Sequence, residues 1–174
     1  MQKSTRYVPK DEPESNPDNK PRVVLDTNVL VSAFLTPKGL PAQIVNLAWQ
    51  GKLQPCYNQE IIDEYEEILA RPGFKFKIPQ QDIKEVIGTI KKDGLSYDVE
   101  PSIFSTPDET DRVFYDVAKA SGAFLITNNV KHYPKDKFIF TPSDFVDTFL
   151  DPSERTNTAF AAQVLERLKK QDDR

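Results

Sequence analysis

From Arg22 onward, short apolar runs alternate with stretches whose apolar residues recur at helical spacing, separated by turn-forming residues. Val23-Val24-Leu25 is a β-branched run suited to a buried strand, and it ends at Asp26-Thr27-Asn28. Val29 to Leu35 then reads as one or two helical turns, and Pro41 to Trp49 as a second helix stopped by Gly51. Leu53 to Tyr57 is a second strand weakened by Pro55. Asn58 caps a helix that runs to about Leu69, where Arg71-Pro72-Gly73 breaks the pattern, and Asp82 caps another that ends near Gly94. Ser96 to Glu100 reads as an edge strand. Thr106-Pro107-Asp108-Glu109 predicts a helix start, with Thr106 as cap, Pro107 at the first position and Glu109 closing a capping box. That helix runs to Ser121 and stops at Gly122. Ala123 to Ile126 and Phe138 to Phe140 are further strands, and Pro142 to Leu150 a short helix.

This alternation predicts an α/β domain with a mostly parallel central sheet, in which ligands sit beyond the carboxyl ends of the strands. The pattern divides the chain into three. Residues 1–21 nearly lack large apolar side chains and read as a flexible extension. Residues 22–150 form the domain. In residues 151–174, Phe160, Val164 and Leu168 mark an amphipathic helix over 158–170.

Composition narrows the chemistry. No apolar run reaches the roughly 20 residues of a membrane-spanning helix, the N-terminus lacks a secretory apolar segment, and Cys56 has no partner for an internal disulfide. These point to a cytoplasmic protein without a membrane partner. The net charge of −4 argues against coating nucleic acid by bulk electrostatics but suits an acidic site that binds metal. With a single histidine, His132, a two-histidine ribonuclease mechanism within one chain is unavailable. Cys56 and His132 make no zinc site, and there is no glycine-rich phosphate loop.

What remains is carboxylate. Asp26 directly follows the first strand and so stands at the ligand-binding edge, though a residue there can also simply cap the next helix. Asp108 and Asp111 precede Phe114 at spacings of three and continue the inward stripe of Phe114, Ala118 and Ser121. Favourable interaction with the helix dipole would account for Asp108 equally well. In the helix after Asn58, the apolar residues Ile61, Ile62, Tyr65, Ile68 and Leu69 turn Asp63 and Glu67 outward. Glu64 and Glu66 fall on the two edges of that face, and spacing alone does not choose between them. Thr127-Asn128-Asn129 forms a second polar cluster at the same sheet edge. Mg²⁺ and Mn²⁺ prefer such oxygen ligands, and acids from separate elements can hold one or two of these ions against a phosphodiester.

These segments resemble the PIN-domain family, and more narrowly the toxin components of prokaryotic toxin–antitoxin systems. The stretch Val23 to Ser32 is similar to the family's opening, Asn58 to Leu69 to its second acidic motif, and Pro107 to Asp111 to its third. Ala123 to Asn129 followed by Lys131-His132-Tyr133-Pro134 is similar to the fourth, and Phe140 to Phe145 to the last strand and helix. The resemblance covers roughly residues 22–150. It implies a three-layer α/β/α sandwich and a Mg²⁺- or Mn²⁺-dependent endoribonuclease, usually inhibited by an antitoxin protein and often a homodimer. It assigns Asp26, Glu64 and Asp111 as metal ligands, choosing Glu64 over Glu66, with Asp108 and Asn129 as auxiliary ligands and Asn28 and Thr127 as supporting polar residues. Many relatives carry Asp where this chain has Asn129, which brings an oxygen but no charge. A catalytically weakened module that binds RNA or protein is therefore the competing reading. A phosphohydrolase using Asp26 as nucleophile ranks last, for want of a second Asp two residues on. Lys131 and His132, followed by Arg22 and Lys38, are the basic candidates for RNA contact.

Overall fold

A computed structural model describes residues 20–150, except 75, 76, 104, 105 and 107, together with 165, 166, 169 and 170. Residues 1–19 of the extension expected over 1–21, and most of the helix expected over 158–170, lie outside the described residues; the four described within the latter are helical.

The chain folds as a three-layer α/β/α sandwich. In order, the elements are β1 (Arg22–Leu25), α1 (Thr27–Leu35), α2 (Leu40–Trp49), β2 (Gln54–Tyr57), α3 (Gln59–Leu69), α4 (Gln80–Asp93) and β3 (Leu95–Ser96). Then come α5 (Arg112–Ser121), β4 (Phe124–Ile126), β5 (Ile139–Phe140) and α6 (Pro142–Phe149). The sheet order is β3-β2-β1-β4-β5 and every neighbouring pair is parallel, so the expected mostly parallel sheet is parallel throughout. The central strands are short apolar runs because both faces are covered. Val23, Val24, Leu125 and Ile126 are fully buried. α5 packs on β1, β2 and β4, while α2 gathers α1, α4 and α6.

The chain builds β1, β2 and β3 outward in one direction, then returns to lay β4 and β5 on the other side of β1. The switch in direction falls between β1 and β4, and the crevice beyond their carboxyl ends is where such sheets bind ligands. Asp26 ends one of these strands and Thr127 the other.

Four element boundaries differ from the sequence reading. The first helix starts at Thr27, directly after Asp26, so no loop separates strand from helix. α4 begins at Gln80 with Pro79 in the cap position, where the ring presets a helix-compatible φ; Asp82 lies buried in the first turn instead of capping it. The edge strand is only Leu95–Ser96, paired with Cys56 and Tyr57. Thr106 does not cap α5. Asp108 caps a 3₁₀ turn, Glu109–Asp111, by accepting from the Thr110 N–H, and the α-helix follows from Arg112. Glu109, the expected partner in a capping box, instead grips the guanidinium of Arg112 with both oxygens.

Candidate active site

Asp26 is 3% exposed at the end of β1, where its N–H continues the parallel ladder to the Ile126 carbonyl at 2.9 Å. It occupies the N-cap position of α1, yet its carboxylate makes no capping bond. Oδ2 instead accepts from the Thr127 hydroxyl at 2.7 Å and from the Tyr133 hydroxyl at 3.3 Å. Thr127 is fully buried and is itself held, its Oγ1 accepting from the Asn129 N–H at 3.0 Å. A strand end, a threonine and a tyrosine thus fix one carboxylate in the crevice.

Glu64 reaches the same crevice because of Tyr65. The Tyr65 ring is buried and its hydroxyl donates to the carbonyl of Leu25, which docks α3 on the end of β1. This orientation leaves Asp63, Glu66 and Glu67 exposed and brings Glu64 to Thr27, whose hydroxyl donates to Oε2. The docking bond supplies what helical spacing lacked.

Asp111 closes the 3₁₀ turn before α5 and faces Nδ1 of His132, 2.9 Å from its Oδ2. The carbonyl of His132 accepts from the Thr106 hydroxyl at 3.0 Å, which ties the segment after β4 to the segment before α5. Asp108 is turned away. It is exposed and extended, and its Oδ1 accepts from both the N–H and the hydroxyl of Thr110, at 2.9 and 2.8 Å. The backbone at Asp108 is extended, so helical spacing does not reach it, whereas Asp111 has helical backbone angles directly before α5 and continues the stripe.

The electrostatics place Asp26, Glu64 and Asp111 in one cluster. Burial raises the pKa of each above the ordinary carboxyl range, partly offset by the bonds from Thr127, Thr27 and His132 respectively. The charge of Asp111 raises Asp26 further, and Asp26 and Asp111 together raise Glu64. Burial and these carboxylates also push the Tyr133 phenol far up, so it stays a neutral hydrogen-bond donor. Asp108, by contrast, is lowered by its bonds from Thr110. Among the described residues, neither lysine nor arginine pairs with the three acids, and His132 is their basic neighbour.

The donor set is hard oxygen from three separate elements, which suits Mg²⁺ or Mn²⁺ over soft-ligand metals. Among the described residues, no three Asp, Glu, His or Cys side chains stand as a ready-made cage around one ion. Each carboxylate of the cluster is engaged with a neutral donor or His132 through one oxygen.

The profile of the PIN domain matches residues 22–131, a span that contains all three acids. The chain belongs to the PIN-domain family. It is also 24% identical over 143 residues to an uncharacterized protein of Methanocaldococcus jannaschii, covering 75% of this chain and 92% of that protein. No solved structure gives a significant match. PIN domains are generally nucleases and usually use divalent metal ions, so membership assigns this protein a nuclease-type function.

The remaining sequence candidates of this PIN domain are distributed as follows. Asn28 is exposed in the first turn of α1, while Thr127 and Tyr133 orient Asp26. Asn129 is half-buried beside Thr127, its backbone N–H serving that residue. Lys131 is exposed one residue before His132. Arg22 sits at the opposite, amino end of β1, where its guanidinium donates to the Ser121 carbonyl at 2.9 Å, so it braces the fold away from the crevice. Lys38 is exposed in the turn between α1 and α2. Thr27, Tyr65 and Tyr133 are site residues that the sequence reading did not single out. Thr27 lies inside the quoted Asp26-Thr27-Asn28 motif, but its partner Glu64 is 37 residues away. Tyr133 lies inside the quoted Lys131-His132-Tyr133-Pro134 segment, but its role rests on a hydroxyl that meets a strand end 107 residues earlier.

Proposed function

We propose that this PIN domain is a metal-dependent endoribonuclease of the cytoplasm and the toxin of a toxin–antitoxin pair. The observation that carries the reading is the convergence of Asp26, Glu64 and Asp111, from three elements, at the carboxyl ends of β1 and β4. There burial raises the pKa of all three, and the charges of Asp111 and Asp26 raise Asp26 and Glu64 further, without a lysine or arginine to balance them. Such a cluster is costly unless a cation neutralises it. Asp26, Glu64 and Asp111 would hold Mg²⁺ or Mn²⁺; when bound, the ion supplies an activated water and positive charge against the scissile phosphate.

The chain's own residues prepare that site. Thr127 and Tyr133 aim Asp26, Thr27 aims Glu64, and His132 aims Asp111, so each acid has one oxygen oriented by a neighbour. Asp108 stands at the rim with its charge exposed, and Asn129 offers an uncharged amide. An ion bound near these two would carry fewer charged ligands than one held by the main three.

The test is cleavage of a single-stranded RNA by purified protein. Mg²⁺ or Mn²⁺ should support cleavage and EDTA should stop it. Asp26→Asn and Asp111→Asn should each lower the rate by roughly 100-fold or more, since even groups that only orient metal ligands are worth about 10–100-fold. Retained cleavage in both variants would falsify the assignment. RNA binding without turnover in either metal would favour the weakened module that the uncharged Asn129 suggests. For the toxin role, expression should arrest growth, Asp26→Asn should relieve the arrest, and a co-expressed antitoxin protein should do the same.

A further inference from the structure

Beside the carboxylate cluster lies an open groove of about 620 Å³, lined by Lys131, Tyr133, Lys135, Lys137 and, opposite in sign, Asp136 and Asp144. Tyr133 connects the two, since this residue lines the groove and its hydroxyl meets Asp26. We propose that this groove is the track along which a single RNA strand is held by its phosphates as it passes the carboxylates. The inference rests on the nuclease reading above and extends it to how the substrate is gripped.

The charge distribution supports this. The chain is net acidic at −4, yet three lysines stand within residues 131–137. All three are exposed, and none is ion-paired with another described residue. The Asp136 carboxylate accepts from the Tyr115 hydroxyl at 2.6 Å, and three lysines against Asp136 and Asp144 leave the groove lining net positive. A phosphodiester approaching one buried and two half-buried carboxylates meets a repulsive field. Cations beside the crevice are what hold the strand there.

The residue types also decide the mode of binding. Tyr133 is only 6% exposed, so it offers no open face on which a base could stack. Lysine is a point charge on a flexible stem, without the planar fork that reads a base edge. The track therefore grips phosphate and tolerates sequence, and its affinity depends steeply on salt. An acidic protein segment is the rival occupant, but it would bring more carboxylates to a cluster already short of cations.

The experiment measures anisotropy of fluorescein-labelled oligouridylate with the full-length protein in EDTA, across a salt series. In the triple variant Lys131→Ser, Lys135→Ser, Lys137→Ser, the Kd should rise roughly tenfold or more and the slope of log K against log salt should flatten by about 2, the value for three lost single-strand phosphate contacts. A control triple variant on α4, Lys84→Ser, Lys91→Ser, Lys92→Ser, should bind as the native protein does. Oligoadenylate should bind within a few-fold of oligouridylate. Unchanged affinity and slope in the groove variant, or an equal loss in the α4 control, overturns the proposal. So does polyglutamate that binds as tightly as the RNA and depends on the same three lysines. Should the triple variant fail to fold by circular dichroism, the single variants Lys135→Ser and Lys137→Ser must each flatten the slope, and no change in either is equally fatal. A Mn²⁺ titration of the same variants reads the carboxylates separately. Native protein that binds RNA through the lysines but takes up no Mn²⁺ would sink the nuclease reading and leave the track standing.

Discussion

Asp26 shows how one side chain can be costly to the fold and yet central to the proposed site. Its carboxyl pKa is raised in the folded protein, first by burial and then by Asp111. The folded state thus holds the Asp26 proton more tightly than the unfolded chain does. The resulting stabilisation is complete below the ordinary value of 3.8 and is lost as pH rises through the raised one. Above that raised value the ionised carboxylate works against the fold. In EDTA, Asp26→Asn should therefore be more stable than the native protein at neutral pH, by about 1 kcal/mol, the usual gain when a strained site charge is removed. The difference should shrink toward zero on acidification to below the ordinary carboxyl range. Denaturant melts at several pH values check this; a variant less stable than the native protein at neutral pH would mean that the bonds from Thr127 and Tyr133 outweigh the repulsion.

At the scale of the element, the site depends on how helices begin. α3 starts at Asn58, whose side chain is buried and accepts from the Ile61 N–H at 3.0 Å. Asn58→Ala should cost about 1 kcal/mol, seen as a lower denaturant midpoint with an unchanged slope. Because Tyr65 still docks the helix on Leu25, Glu64 should keep its place and Mn²⁺ affinity should change little. This start was legible locally, since an Asn before an apolar-periodic stretch carries its own capping chemistry. The start of α5 was not. Thr106 and Asp108 both can cap, and the choice fell to Asp108 because the Thr106 hydroxyl is used across space on the carbonyl of His132. The same choice leaves Asp108 exposed at the rim, where its charge still raises the pKa of Asp111.

At the scale of the whole molecule, the cluster exists only because β1 and β4 are neighbours, with α3 and α5 packed around their ends. A ligand that binds only this assembled state must stabilise it. At 100 times its Kd, Mn²⁺ should add about 2.7 kcal/mol and raise Tm by roughly 5–10 °C. Asp26→Asn should show little or no shift, which separates specific uptake from a general salt effect. An equal rise in both proteins would count against the site. Among the described residues no helix is long and apolar enough to cross a membrane.

The order of elements, the parallel sheet and the place of Asp26 at a strand end were all readable from the chain, because strand runs, caps and breakers act through neighbours in sequence. The resemblance then singled out Glu64 and Asp111. Which edge acid of α3 faces inward, which of Asp108 and Asp111 does so, and that Thr27, Tyr65 and Tyr133 belong to the site were decided only in three dimensions. Each of those outcomes rests on a hydrogen bond or docking contact between distant segments, and no local pattern encodes a partner that the chain meets only after it has folded.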